Sequence, residues 1–300
     1  NEKFDLHQNR LNDESWVFQR MDIYRIKEKI EERGIPLVEW NVKIHSGVKS
    51  GFNDAFIISE NKKREILENC RTKDEKKRTE QIIKPILRGR DIKRYFYEWK
   101  NLWLIETFPA LKLNIKMYPS LKEHLLKYKN ELENRSGTSK WFEIRDTTKF
   151  YPEFEKDKIL WQEMSSKPSF AYDDKKFCPD YTAYFITGEN LKYLIGILNS
   201  KISEFYVSHT ASSLSKGALR WFKQYVERIP VPPITKQSES IVKEIEKLVD
   251  RIILLNKQKQ FLLDSFKNLT ENMGQKRFQS PLRQYLSKNA LDYSINPLKK

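Results

Sequence analysis

The period of the apolar positions changes several times along the chain, and each change marks an element. Residues 22–33 are charged, with Ile23, Ile26 and Ile30 spaced for one face of a short amphipathic helix. Gly34 ends that helix and Pro36 forbids its continuation. Residues 37–44 alternate like a strand entering a glycine-bearing turn, and 55–59 read as the returning strand. The stretch 62–80 is dense in charge and predicts a solvated helix or loop. Residues 82–87 and 102–108 predict short strands flanking a basic segment, and 118–133 predicts a helix with Pro119 near its start. Two further strands are expected at 158–164 and 181–187, separated by the turn-rich residues 165–179. In 189–200, Leu191, Leu194, Ile195 and Leu198 share one helical face, and 202–208 extends or follows that helix.

Pro230, Pro232 and Pro233 exclude a helix interior and predict a stiff boundary, dividing the chain into domains 1–235 and 236–300. Beyond it Ile241, Leu248, Leu255 and Leu262 recur every seven residues, with Ile245, Ile252 and Phe266 alongside. That spacing predicts one long amphipathic helix with a coiled-coil-like stripe, interrupted at Gln258 and Lys259. The stripe serves either packing against the preceding lobe or self-association. Residues 271–300 are polar and weakly patterned. Strands interspersed with helices make the fold class α/β, in the mixed α+β sense.

Composition narrows the class. Hydrophobic residues at 39% and aromatics at 13% exclude a disordered chain, and 300 residues suffice for a real core. No apolar run approaches a membrane span and no secretory signal begins the chain. Cys70 and Cys178 are too few for a disulfide framework or a thiolate zinc site, so a reducing, cytoplasmic compartment is expected. The chain starts at Asn1 and its first methionine is Met21, which predicts that it was cut from a larger parent.

Charge points to a partner. Lys and Arg outnumber Asp and Glu by 56 to 41, a net charge of +15. Residues 61–100 hold fourteen basic against seven acidic side chains, and 201–236 hold six against two. A polyanion is the natural partner for such segments, nucleic acid first among them. The competing explanation is a solvated, lysine-rich surface.

Several chemistries are missing. The chain has no Gly-x-Gly turn for a methyl donor, and its only Pro-Pro, in Val231-Pro232-Pro233-Ile234, lacks the acid or amide and the aromatic that an amino-methyltransferase loop needs. The four histidines, His7, His45, His124 and His209, show no metal-ligand spacing. Asp54 with Glu75 and Lys77, or Asp74 with Glu98 and Lys100, fits a metal-nuclease pattern loosely, as chance allows in a chain rich in acids and lysines. No catalytic, metal or cofactor residue is therefore assigned.

The most specific motifs are Gly47-Val48-Lys49-Ser50-Gly51-Phe52-Asn53-Asp54-Ala55-Phe56 and Ile83-Lys84-Pro85-Ile86-Leu87-Arg88-Gly89-Arg90-Asp91-Ile92-Lys93-Arg94-Tyr95. Ile159-Leu160-Trp161, the helix 191–200 and Ile229-Pro230-Val231-Pro232-Pro233-Ile234 add weaker support. Together, from about Trp16 to about Phe266, they resemble the TaqI-like C-terminal specificity domain of adenine-specific DNA methyltransferases and type IIG restriction-modification enzymes. The proline segment followed by a long helix is also similar to type I specificity subunits. The resemblance implies a target-recognition lobe with a curved mixed sheet and flanking helices. It also implies double-stranded DNA as partner, with a methyltransferase domain before Asn1 and S-adenosylmethionine as the parent's cofactor. Lys49, Arg88, Arg90, Lys93 and Arg94, with Ser50 and Asn53 beside them, are the expected backbone contacts. Ser213, Ser215, Lys216 and Arg220 are the expected base-edge contacts, with Gly217 allowing close approach.

Each assignment has a structural rival. Arg88, Asp91 and Arg94 can form an internal ion-pair network around Tyr95, Gly47 and Gly51 can serve turn geometry alone, and Trp221 can be a packing residue. Two other functional classes stay open: a nuclease fragment with its own metal site, and a protein-interaction module of a phage-defence complex.

Overall fold

The computed structural model describes residues 21–137, 140–145, 150–211 and 219–272, with side chains as far as residue 267. Its described residues up to Asp250 form one compact unit, and those from Arg251 onward form another.

Two four-stranded sheets organise the first unit. Their strands are β1 (Val42–Ser46), β2 (Ile57–Ser59), β3 (Ile83–Leu87), β4 (Leu102–Ile105), β5 (Lys158–Gln162), β6 (Phe170–Asp173), β7 (Cys178–Pro179) and β8 (Ala183–Gly188). One sheet runs β6-β5-β8-β1 and is antiparallel throughout. The other runs β7-β3-β4-β2, with β7 parallel to β3. β5 is an almost unbroken buried run because it is central and covered on both faces. Its Leu160, with Phe185 of β8, joins the core shared with Ile86, Leu87 and Leu104 of the second sheet and with Leu121 and Leu125. Helix Leu191–Leu198 packs against β5 and β6.

At the far end of β5, Lys158 faces Asp173 at 2.9 Å, both side chains fully buried. Lys158 also donates to the Phe154 carbonyl at 2.7 Å, and Asp173 accepts from the amides of Lys175 and Phe177 at 2.9 Å. A buried charge is tolerated only with such a complete set of partners.

Several elements differ from their sequence pattern. Residues 37–39 form a 3₁₀ turn, and β1 begins only at Val42. The reason lies in pairing: the amides of Leu37 and Val38 donate to the carbonyls of Ile229 and Glu227, and Ile35–Pro36 pairs with Pro230–Val231. Pro230 and Val231 are accordingly buried in this ladder. Residues 62–80 resolve into two helices, Glu60–Glu68 and Lys73–Gln81, each started by a hydroxyl cap from Ser59 or Thr72. The Ser200 hydroxyl likewise caps a second helix, Lys201–Thr210, so 202–208 follows the preceding helix instead of extending it.

The long helix Glu239–Asn272 forms as its heptads predict. Within the first unit, however, the covered face is shifted by one residue. Val242 and Val249 are buried and Ile245 faces Gly196, while Ile241 and Leu248 are 58% and 51% exposed. In the terminal unit Leu255 and Leu262 continue the exposed stripe. Among the described residues no helix is long and apolar enough to cross a membrane.

Candidate nucleic-acid interface

Both glycine motifs meet on one short loop. The C-terminal ends of β1 and β5 and the N-terminal end of β8 lie at the same edge of the first sheet, fixed by the pairs Tyr184–Ser46 and Ala183–Gln162. β3 and β7 end side by side at Leu87 and Pro179 in the second sheet. The loop 179–182 connects these ends. Its Pro179 carbonyl accepts from the Val48 amide at 2.9 Å, and its Asp180 amide donates to Leu87 at 2.8 Å. The Asp180 carboxylate accepts from the Gly89 amide at 3.2 Å and from the Thr182 amide at 3.0 Å and hydroxyl at 2.5 Å. Burial pushes the Asp180 carboxyl upward; the bonds from Thr182 and Gly89, with nearby Arg88, oppose that shift.

The glycines follow from this crowding. A Cβ on Gly47 would lie 2.0 Å from the Asp180 carbonyl oxygen, and one on Gly89 would lie 2.3 Å from that of Thr182. No side chain fits at either position without moving backbone.

The cations divide into engaged and exposed. Arg88 donates from Nε and Nη2 to the two carboxylate oxygens of Asp91, at 2.7 and 3.0 Å. This bidentate pair clasps the 3₁₀ turn Gly89–Asp91 and raises the Arg88 pKa, chiefly through the Asp91 hydrogen bond. Arg94 donates to the Asn199 carbonyl at 2.8 Å and does not join the Arg88–Asp91 pair as the network reading supposed. Asn199 in turn brackets β6, its side chain bonding both the amide and the carbonyl of Phe170. Tyr95, half-buried in a left-handed conformation, bonds the same carbonyl through its amide. Lys93 donates to the Arg90 carbonyl at 2.7 Å. Arg90 and Lys49 are exposed on their turns.

Ser50 is buried and its hydroxyl donates to the exposed Asn53 side chain at 2.6 Å. The Ser50 carbonyl accepts from Arg135 at 3.0 Å and from the Arg145 amide at 3.2 Å. Arg135 also reaches the carbonyls of Leu132, Trp141 and Glu143, so one guanidinium holds this turn in place. Nothing in the local sequence distinguishes Arg135 from its many basic neighbours.

Arg220 sits on a two-residue ribbon, Leu219–Arg220 paired with Met164–Ser165, directly beyond β5. Its guanidinium lies 5.6 Å from the Phe222 ring, and its buried Nε has no hydrogen-bond partner among the described residues. Trp221 is a packing residue: it is 1% exposed, and its indole donates to the Ser165 carbonyl at 3.1 Å. Ser213, Ser215 and Lys216 fall within 212–218, outside the described residues. An open groove of about 470 Å³ lies beside the ribbon, lined by Glu163, Tyr184, Phe222, Lys223, Gln224 and Glu227. Glu163 and Lys223 escaped the sequence reading because neither belongs to a glycine motif.

Residues 84–231 match the model of the TaqI-like C-terminal specificity domain. The chain is 24% identical over 228 residues to the type II methyltransferase M.XhoI of Xanthomonas vasicola, covering 73% of this chain and 39% of that protein. It is 25% identical over 218 residues to the type II methyltransferase M.MjaIV of Methanocaldococcus jannaschii, covering 68% of this chain and 70% of the relative. Among solved structures it is similar to the type IIL restriction-modification enzyme MmeI in complex with DNA, with a TM-score of 0.56 and 14% identity over 74% of this chain and 28% of that one. The type IIG restriction endonuclease BpuSI gives a TM-score of 0.50 at 14% identity over 77% of this chain and 28% of that one. At such identity these two likenesses concern the fold. Across residues 84–231 the chain thus matches the TaqI-like C-terminal specificity domain.

Proposed function

We propose that this chain is the DNA target-recognition domain of an adenine-specific methyltransferase or type IIG restriction-modification enzyme. It binds a specific duplex and presents it to a methyltransferase domain outside these 300 residues. The observation that carries the reading is the convergence of both glycine motifs and the Arg220 ribbon at one end of the first sheet. Exposed Lys49 and Arg90, with Lys93, supply phosphate contacts that set affinity and register. Arg220, with Ser213, Ser215 and Lys216 before it in the sequence, supplies the base-edge contacts by which sequence is chosen. Arg88 and Arg94 shape the turn that carries Arg90.

S-adenosylmethionine belongs to the outside domain, because no glycine-rich turn in this chain fits a methyl donor. The nuclease alternative is not favoured: Glu75 is buried and its carboxylate already accepts from Arg71 and Ser120. Among the described residues no group of three or more His, Cys, Asp or Glu side chains is placed to hold a metal.

Selection from a random duplex library, repeated at several salt concentrations, tests the proposal. One enriched motif is expected, with affinity falling by about 0.9 log units per log unit of salt for each phosphate contact. A library that returns unenriched refutes sequence recognition.

A further inference from the structure

Glu163 is out of place on a face meant for DNA. A carboxylate is repelled by phosphate, yet this one stands in the basic end of the sheet with Lys49 and Arg220 as its electrostatic neighbours. Its backbone is held on both sides: the amide donates to the Thr182 carbonyl at 3.0 Å, and the carbonyl accepts from the Trp221 amide at 2.8 Å. It therefore leaves a rigid strand end, the kind of support a specificity contact needs. The side chain is half-buried and lines the groove beside Tyr184, whose ring stacks on Trp161 at 5.4 Å. Its carboxylate makes no hydrogen bond or ion pair with any described residue, whereas Glu153 and Glu75 each have several partners and Asp91 is gripped by Arg88. Burial raises its pKa against the pull of the two cations, so its exposure to water is already reduced.

An ionised carboxylate only accepts hydrogen bonds. In a DNA groove the fitting donors are exocyclic amines, N4 of cytosine and N6 of adenine in the major groove. Adenine sets the N7 acceptor beside its amine, which repels the second carboxylate oxygen; cytosine sets a C–H there. Guanine and thymine present acceptors and are rejected. Resting on the target-recognition reading above, we propose that Glu163 is a specificity-determining residue that selects a cytosine at one position of the recognised sequence.

The rival account is that Glu163 merely tempers the charge of Lys49 and Arg220. The two are separated by selecting duplexes from a random library with the 300-residue chain as wild type, Glu163→Ala and Glu163→Gln, at matched folded fractions. Glu163→Ala should lose roughly tenfold of the preference for cytosine at one position, with binding to random duplex undiminished. Glu163→Gln keeps the shape and breaks no internal bond, so it remains informative if the alanine variant folds poorly. Its amide both donates and accepts, and it should shift that position toward adenine. Identical motifs for all three proteins, with both variants merely binding every duplex more tightly, overturn the proposal. A wild type that enriches no motif overturns target recognition itself and the Glu163 proposal with it.

Discussion

Replacing Arg88 by alanine should destabilise the fold and leave the electrostatics of DNA binding largely intact. The Arg88 side chain is 24% exposed, while the Asp91 carboxylate it grips is 5% exposed. Without the guanidinium, that carboxylate keeps only a long contact from the residue 88 amide, now 3.4 Å away. Breaking a fully buried pair costs about 3–5 kcal/mol, and breaking an exposed one costs about 0–1. This pair has one buried and one partly wet member, so about 2 kcal/mol is expected. For a chain of this size that corresponds to a melting temperature lower by about 3–4 °C. Urea unfolding of Arg88→Ala, Asp91→Ala and the double variant should show coupling, the double change costing less than the sum of the singles. DNA affinity, measured well below the new melting temperature, should keep its salt slope. If Arg88→Ala unfolds like the wild type and the slope falls by about one unit, Arg88 is a phosphate contact and the clasp argument fails.

Three further outcomes follow from the same geometry. Lys49→Ala with Arg90→Ala should weaken all duplexes alike and flatten the salt dependence by about one unit per lost contact, read by titration at three or more salt concentrations. Glu106 carries a pKa raised to about 7, mainly by burial, with Glu155 adding to the shift and Lys84 opposing it. Because the folded value lies above the unfolded one, its stabilising contribution is complete below about pH 4.5 and is lost as pH rises toward 7. Glu106→Gln should therefore raise stability at pH 8 relative to wild type, by up to about 3 kcal/mol, and leave it nearly unchanged at pH 4, by urea titration at each pH. Lys158→Met should cost about 3 kcal/mol or more in the same assay, since Asp173 would be left buried without its counter-charge.

Much of this architecture was legible in the chain. The apolar run Ile159-Leu160-Trp161 declared a strand and the heptads declared the terminal helix. What stayed hidden was long-range. No local pattern tells that Leu37 bonds Ile229, so residues 37–39 looked like strand and Pro230 like a linker. The heptad spacing fixed a helix but not which of two neighbouring stripes, Ile241–Leu248 or Val242–Val249, would be covered. In the candidate interface, charge singled out segments but not the commitments of individual cations, because Asp91 and the Asn199 carbonyl are partners that only folding brings within reach of Arg88 and Arg94.

The loop 179–182 separates two tasks that are often entangled. It knits the segments together through backbone groups and two of its own side chains, Asp180 and Thr182. The exposed side chains of Lys49 and Arg90, which flank those bonds, take no part in them. Exchanging them would alter what the surface touches while the loop holds the same turns at the same spacing. A recogniser organised in this way can drift to a new target by swapping tips, one residue at a time, without passing through an unfolded intermediate sequence. The residues intolerant of change should be the ones that make those bonds and close approaches: Gly47, Gly89, Asp180 and Thr182.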